Sequence, residues 1–153
     1  MHSMYLKNAT LITMNAERHY VEQGALLIEN GVITAIGRSA DVTPPPDAEQ
    51  IDLGGRMVLP GLINTHVHTS QQLGRGLGDD VPLLVWLQER IWPYESNMTE
   101  ADSEASTLLL GIEQIRNGVT CIGESGGQHV PGMVRAMEQL GLRGVLSRST
   151  MDT

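Results

Sequence analysis

The character of the sequence changes at the segment Pro60-Gly61-Leu62-Ile63-Asn64-Thr65-His66-Val67-His68. Its apolar and β-branched residues favour a short buried strand. Alternate residues of a strand point to the same side, so Asn64, His66 and His68 are expected to share one face. The intervening residues are expected to pack against helices on the other face, and these are Ile63, Thr65 and Val67.

The two histidines of this segment are candidate metal ligands. Two neutral imidazoles one strand repeat apart can hold one divalent ion in adjacent coordination positions. A chance pair of histidines is the alternative, because a zinc site needs three or four ligands. Of the other histidines, His2 and His19 are expected at the surface and His129 in a loop.

The residues before this segment predict a small all-β unit. Asn30-Gly31 separates two β-prone runs, 25–29 and 32–36, and this pattern predicts a hairpin with a type I′ turn. The triplet Pro44-Pro45-Pro46 marks a surface loop. Further short strands are expected over 5–14, 50–53 and 56–59.

The residues after it alternate between strand and helix patterns. Thr99 and Asp102 resemble a capping box, and apolar residues then recur at helical spacing up to a stop at Asn117-Gly118. Helices are also expected over 83–90 and 131–140, and strands over 119–123 and 145–148. This order indicates βα units and a parallel sheet. A complete (β/α)₈ barrel needs about 250 residues, so we expect the chain to be the first part of a longer protein.

Composition limits the classes of function. The 153 residues contain 10 Lys and Arg against 18 Asp and Glu, a net charge of −8, which argues against a nucleic-acid partner. No apolar run reaches the ~18 residues of a membrane span. The single cysteine, Cys121, excludes an intrachain disulfide and is expected to be a small buried hydrophobe. No secretory h-region follows Met1, so a cytoplasmic protein is expected.

The segment 60–68 resembles the first barrel strand of the amidohydrolase superfamily, and most closely that of its nucleoside and nucleobase deaminases and its triazine chlorohydrolases. The resemblance implies an α/β fold. Residues 1–59 are similar to part of the family's small β-sandwich. Residues 60–153 are similar to the first three βα units of its metal-dependent (β/α)₈ barrel.

A second segment, Trp86-Leu87-Gln88-Glu89-Arg90-Ile91-Trp92-Pro93-Tyr94-Glu95, is similar to the methylthioadenosine/S-adenosylhomocysteine deaminases. The resemblance implies that Glu95 holds ribose hydroxyls, that Trp86 lines the substrate pocket, and that Arg148 contributes to substrate binding. The residues alone leave alternatives open: a solvated helix face for Glu95, a core position for Trp86 and an ion pair for Arg148.

The implied activity is deamination of an amine-bearing heterocycle, an adenine nucleoside such as methylthioadenosine or S-adenosylhomocysteine. His66 and His68 would bind one divalent ion, with Zn²⁺ preferred over Fe²⁺, and the resulting hydroxide would attack the ring carbon. The family takes its other metal ligands and its catalytic glutamate from beyond residue 153. A small-molecule substrate, no membrane partner and a homo-oligomer are expected.

Three rival functions remain open. One is deamination of a free nucleobase or pterin, and another is hydrolytic dechlorination of a triazine. In both, hydroxide would attack a ring carbon as above, but the ring or the leaving group differs. A non-catalytic scaffold of amidohydrolase fold is the rival from another class. The loop Gly126-Gly127-Gln128-His129 departs from the deaminase pattern, and Glu124, which ends the second predicted strand, has no family role to transfer.

Overall fold

The computed structural model describes residues 2–150 and divides the chain between Pro60 and Gly61 into two compact units. Within the described residues, no helix has both the length and the apolar character needed to cross a membrane.

The first unit is one five-stranded sheet. Its strands are β1 (Ser3–Ile12), β2 (Tyr20–Glu29), β3 (Val32–Arg38), β4 (Glu49–Asp52) and β5 (Met57–Val58). The strand order is β3-β2-β1-β4, and β5 also pairs with β1. Neighbouring β1, β2 and β3 are antiparallel, whereas β4 and β5 run parallel to β1.

The hairpin predicted around Asn30-Gly31 is confirmed. Both turn residues have positive φ, 52° for Asn30 and 81° for Gly31, as a type I′ turn requires. The adjacent residues Leu26 and Leu27 belong to two different buried clusters. Since neighbouring strand residues point to opposite sides, both faces of this sheet carry apolar packing.

The second unit is a three-stranded parallel sheet with helical crossovers, in the order β6-β7-β8. Its strands are β6 (Leu62–Val67), β7 (Val119–Glu124) and β8 (Arg143–Val145). A 3₁₀ helix (Thr69–Gly74) follows β6. The helices are α1 (Leu83–Val85), a π-helix (Trp86–Ile91), α2 (Trp92–Ser96), α3 (Glu100–Arg116) and α4 (Val130–Leu140). The mixed α/β class predicted from the sequence is therefore present.

The sequence predicts both ends of α3 correctly, but it misplaces the strand β8. The Thr99–Asp102 capping box is formed, and α3 gives way to Asn117 and Gly118 as predicted. The strand expected over 145–148 is wrong, because β8 begins at Arg143. The reason lies in α4, which ends at Leu140 and is capped by Gly141 in the left-handed conformation, so that only two residues separate the helix from the strand.

The buried face of α3 differs from its apolar stripe. The apolar positions that indicate the helix include Leu109, Ile112 and Ile115, and all three are exposed. The buried residues are mostly small or polar, namely Ser103, Ser106, Thr107, Leu110 and Gly111. A Cβ atom on Gly111 would overlap the side chain of Leu140, so the absence of a side chain at this position admits a close approach of α4.

The capping box yields a pH-dependent prediction. Hydrogen bonds from the Thr99 hydroxyl and backbone N–H hold the pKa of Asp102 below its ordinary value. A lowered folded-state pKa stabilises the fold above the unfolded-state pKa of about 3.9, and that stabilisation is lost as the pH falls through the folded-state pKa. Asp102→Asn should therefore lower the melting temperature at pH 7 and have little effect near pH 2. The exposed Asp79→Asn is the control. An equal deficit at both pH values would contradict the prediction.

Exposed apolar residues on the parallel strands yield a second prediction. Leu62, Ile63 and Val145 are all exposed, and Ile63 retains 66% of its accessible surface. Contiguous exposed apolar surface favours association or a loosely packed state. Residues 1–153 produced alone should bind 8-anilinonaphthalene-1-sulfonate and self-associate. A monodisperse monomer with a sharp cooperative melt would refute this.

Candidate active site at the ends of the parallel strands

The histidine pair lies at the carboxyl end of β6. The two imidazole rings have centroids 5.3 Å apart and planes at 84°, an edge-to-face arrangement. His66 is exposed, and the side chain of His68 keeps 33% of its accessible surface. The rings thus adjoin each other, as expected for residues two apart on a strand. Binding of a metal by them stays a prediction.

Asn64 does not share the face of the histidines, and this corrects the expectation from simple alternation. Its side-chain amide donates a hydrogen bond to Gln114 of α3 at 3.1 Å. Val67 packs with the buried cluster around Ile122, whereas Ile63 is exposed rather than packed against helices. The pairing of β6 with β7 shifts register between Asn64 and Val67. Such a bulge breaks the simple alternation of side chains between Asn64 and Val67.

Glu124, the last residue of β7, places a fully buried carboxylate beside this pair. Its Oε2 accepts the backbone N–H of Thr69, and its Oε1 accepts the backbone N–H of Gly126 at 3.1 Å. Oε1 also lies 3.8 Å from Nδ1 of His68. In the sequence, Glu124 is recognisable only as a carboxylate that ends an apolar strand. Its role becomes visible only from the tertiary contacts.

The segment after His68 is held from α2 and α3. The Ser106 hydroxyl donates to the Thr69 carbonyl at 2.7 Å and accepts the N–H of Gln72 at 2.9 Å. The Tyr94 hydroxyl donates to the Ser70 carbonyl at 3.0 Å. Burial raises the pKa of Tyr94, and the negative charges of nearby carboxylates act in the same direction. The 3₁₀ helix is therefore fixed to the helices behind it.

Glu95 is buried, with 7% of its surface accessible, so it does not begin a solvated helix face. Its Oε1 accepts a hydrogen bond from Nε2 of Gln71 at 2.9 Å. The other oxygen makes no hydrogen bond within residues 2–150. Since Gln71 lies three residues beyond His68, Glu95 is tied to the same segment as the histidines.

Trp86 and Arg148 occupy different surroundings. Trp86 begins the π-helix, is half-buried, and contacts the loop at Gly78, where a Cβ atom would lie 2.1 Å from the indole. Arg148 is exposed, and its backbone forms a bridge with Gly127. Among residues 2–150, its guanidinium makes neither an ion pair nor a hydrogen bond. No hydrogen bond or ion pair in this part of the chain joins either residue to the histidines.

The remaining candidates lie apart from the pair. His129 has a positive φ of 55°, and its Nε2 lies 2.7 Å from the Met98 carbonyl oxygen, so this ring nitrogen already has a partner. Cys121 is partly rather than fully buried. In the described part of the chain, no three residues among His, Cys, Asp and Glu come together as a metal-binding group.

Comparison with known proteins agrees with the family that the sequence resembles. Residues 57–153 match the Amidohydrolase family. The 5-methylthioadenosine/S-adenosylhomocysteine deaminase of Desulforamulus reducens is 38% identical over 149 residues, which are 97% of this chain and 34% of that protein. The chain thus spans about a third of the length of this relative.

Solved structures agree with this assignment. An adenosine deaminase from Xanthomonas campestris with bound zinc is 29% identical, with a TM-score of 0.71, over 94% of this chain and 33% of its own. The atrazine chlorohydrolase of Arthrobacter aurescens TC1, complexed with zinc, is 22% identical, with a TM-score of 0.78, over 92% of this chain and 34% of its own; this likeness concerns the fold. Together with the sequence match, these similarities establish that the chain belongs to the amidohydrolase family.

Proposed function

We propose that the protein carrying this chain is a metal-dependent hydrolase that deaminates an adenine nucleoside such as methylthioadenosine or S-adenosylhomocysteine. The observation that carries the proposal is the pair of adjacent imidazoles, 5.3 Å apart, at the end of the first parallel strand. The similarity to a named deaminase over 97% of the chain supports the substrate class. We further propose that residues 1–59 form part of a β-sandwich and 60–153 the first three βα units of a barrel.

The residues present fit part of a zinc site. His66 and His68 would hold the ion, because imidazole nitrogens are ligands that zinc prefers and the two rings adjoin each other. Zinc is preferred over Fe²⁺ because two similar solved structures contain bound zinc. When bound, such an ion activates water as a nucleophile near neutral pH. The remaining ligands and the proton shuttle would come from other parts of the protein, which we expect to be a cytoplasmic homo-oligomer.

Three residues of the chain are proposed to position the substrate. Glu95 presents a buried carboxylate with one oxygen free of hydrogen bonds in the described residues, and a carboxylate accepts readily from vicinal hydroxyls. The half-buried indole of Trp86 offers an apolar aromatic surface for an adenine ring. The guanidinium of Arg148, which has no partner among residues 2–150, can donate several hydrogen bonds to a polar substrate group.

The substrates of the rival enzymatic functions would interact differently with Glu95. A chlorotriazine or a free base has no ribose, so it would leave this buried carboxylate without its hydroxyl partners. Leaving a buried acceptor unpaired costs about 1–3 kcal/mol. The fold similarity to a triazine-acting enzyme keeps dechlorination as the second candidate. A scaffold without activity would bind no metal at the histidine pair.

The metal proposal predicts the effect of removing either imidazole. In the full protein, His66→Ala and His68→Ala should each lower zinc affinity at least 100-fold and abolish turnover, because each removes one ligand. Zinc content and competition with a chromophoric chelator measure this loss. His19→Ala, an exposed histidine of the first unit, is the matched control. Unchanged zinc binding in both site variants would rule out the proposed metal site.

The substrate proposal predicts dependence on the ribose hydroxyls. The full protein should turn over methylthioadenosine with a kcat/KM at least 10-fold above that for its 2′,3′-dideoxy analogue, because the analogue leaves Glu95 unpaired. Glu95→Gln should narrow that ratio, whereas the exposed Glu89→Gln should leave it unchanged. Equal turnover of the two nucleosides would remove Glu95 from the substrate site. Faster turnover of a free base, a pterin or a chlorotriazine would favour the corresponding rival.

A further inference from the structure

Glu124 is a fully buried carboxylate that the proposed function leaves without a role. Burying such a group is costly unless hydrogen bonds compensate it. Two backbone N–H groups do so here, one from Thr69 and one from Gly126. These donors lie in the loops after β6 and β7, so one side chain joins the ends of two neighbouring strands.

The same carboxylate faces the one ring nitrogen of His68 that is buried. Nδ1 of His68 has no hydrogen-bond partner among the described residues, and its nearest acidic oxygen is Oε1 of Glu124 at 3.8 Å. Buried polar atoms without partners are rare and call for a physical explanation. A displacement of about 1 Å would bring this pair within the ordinary N–H···O distance of 2.7–3.2 Å.

We propose that Glu124 is a positioning residue for His68. In the metal-loaded protein its Oε1 accepts the Nδ1 proton of His68, which fixes the ring and leaves the lone pair of Nε2 for the metal. A neutral imidazole has one N–H and one lone pair, so the partner of Nδ1 decides which nitrogen can ligate. This inference rests on the proposed function, since it assigns His68 to a metal.

The backbone contact of Glu124 supports this role. Thr69 follows His68 directly, and its N–H is bound by Oε2 of the same carboxylate. Glu124 therefore constrains His68 twice, through the adjoining peptide and through the ring. His66 has no comparable support, because its exposed ring makes no hydrogen bond or ion pair within residues 2–150.

Metal affinity provides the first test. In the full protein, Glu124→Gln should weaken Zn²⁺ and Co²⁺ binding about 10–100-fold, the usual effect of removing a partner of a ligating histidine. The visible absorption of bound Co²⁺ should also change, because the ring is no longer held in one orientation. Glu124→Asp keeps the charge but shortens the reach, and should fall between Glu124→Gln and the parent. Glu138→Gln, an exposed carboxylate on α4, is the control and should bind both ions as the parent does.

The tautomer of His68 provides a second test that needs no variant of Glu124. In the metal-free full protein with ¹⁵N-labelled histidine, His68 should carry its proton on Nδ1, as judged by the ¹⁵N shifts of the neutral ring. His68→Ala identifies the resonances. A proton on Nε2 instead would overturn the inference, and so would a Co²⁺ spectrum and affinity that are unchanged in Glu124→Gln.

The outcomes separate this inference from the proposed function. Loss of zinc in His68→Ala together with normal zinc binding in Glu124→Gln would leave the metal site in place and reject the positioning role. Normal zinc binding in both histidine variants would reject the metal site and the positioning role together. If Glu124→Gln does not fold, Glu124→Asp and the tautomer measurement still decide the matter.

Discussion

The buried peptide groups of the segment after β6 need hydrogen-bond partners, because leaving one unpaired costs about 1–3 kcal/mol. Side chains meet most of this demand by bonding to backbone. Ser106 both donates to the Thr69 carbonyl and accepts from the Gln72 N–H, while Glu124 accepts from Thr69. These bonds determine the path of the chain after β6, and with it the position of His68. The candidate site therefore depends on hydrogen bonding more than on apolar packing.

This constraint explains why α3 buries small polar residues. A larger apolar side chain at Ser106 could not satisfy the peptide groups that follow β6. Likewise, Ser103 donates to the Gln128 carbonyl in the loop after β7 at 3.0 Å. Hydrophobic periodicity locates the helix and its ends, but the buried face of α3 does not coincide with its apolar stripe. The position of the buried face follows from partners that are distant in sequence.

The features that the sequence predicts correctly are those decided by neighbouring residues. The type I′ turn at Asn30-Gly31 and the Thr99–Asp102 capping box both depend on residues at most three positions apart. One failure involves a tertiary contact, because the bulge in β6 accompanies a hydrogen bond from Asn64 to α3. The burial of Glu95, which the residues alone left open, likewise depends on partners outside its own helix, such as Gln71. The adjacency of His66 and His68 survives the bulge, since their ring centroids lie 5.3 Å apart.

The two histidines are unequally supported, and this bears on how a metal could be bound. His68 is followed by a peptide N–H held by a buried carboxylate, whereas the ring of His66 is exposed and makes no hydrogen bond within the described residues. A ligand that is already fixed loses little freedom when it binds an ion, while a mobile one must be ordered. On the proposed function, His68 would thus define the position of the ion and His66 would adjust to it. Such a site would hold its ion in a defined position because one ligand is already rigid before the other ligands bind.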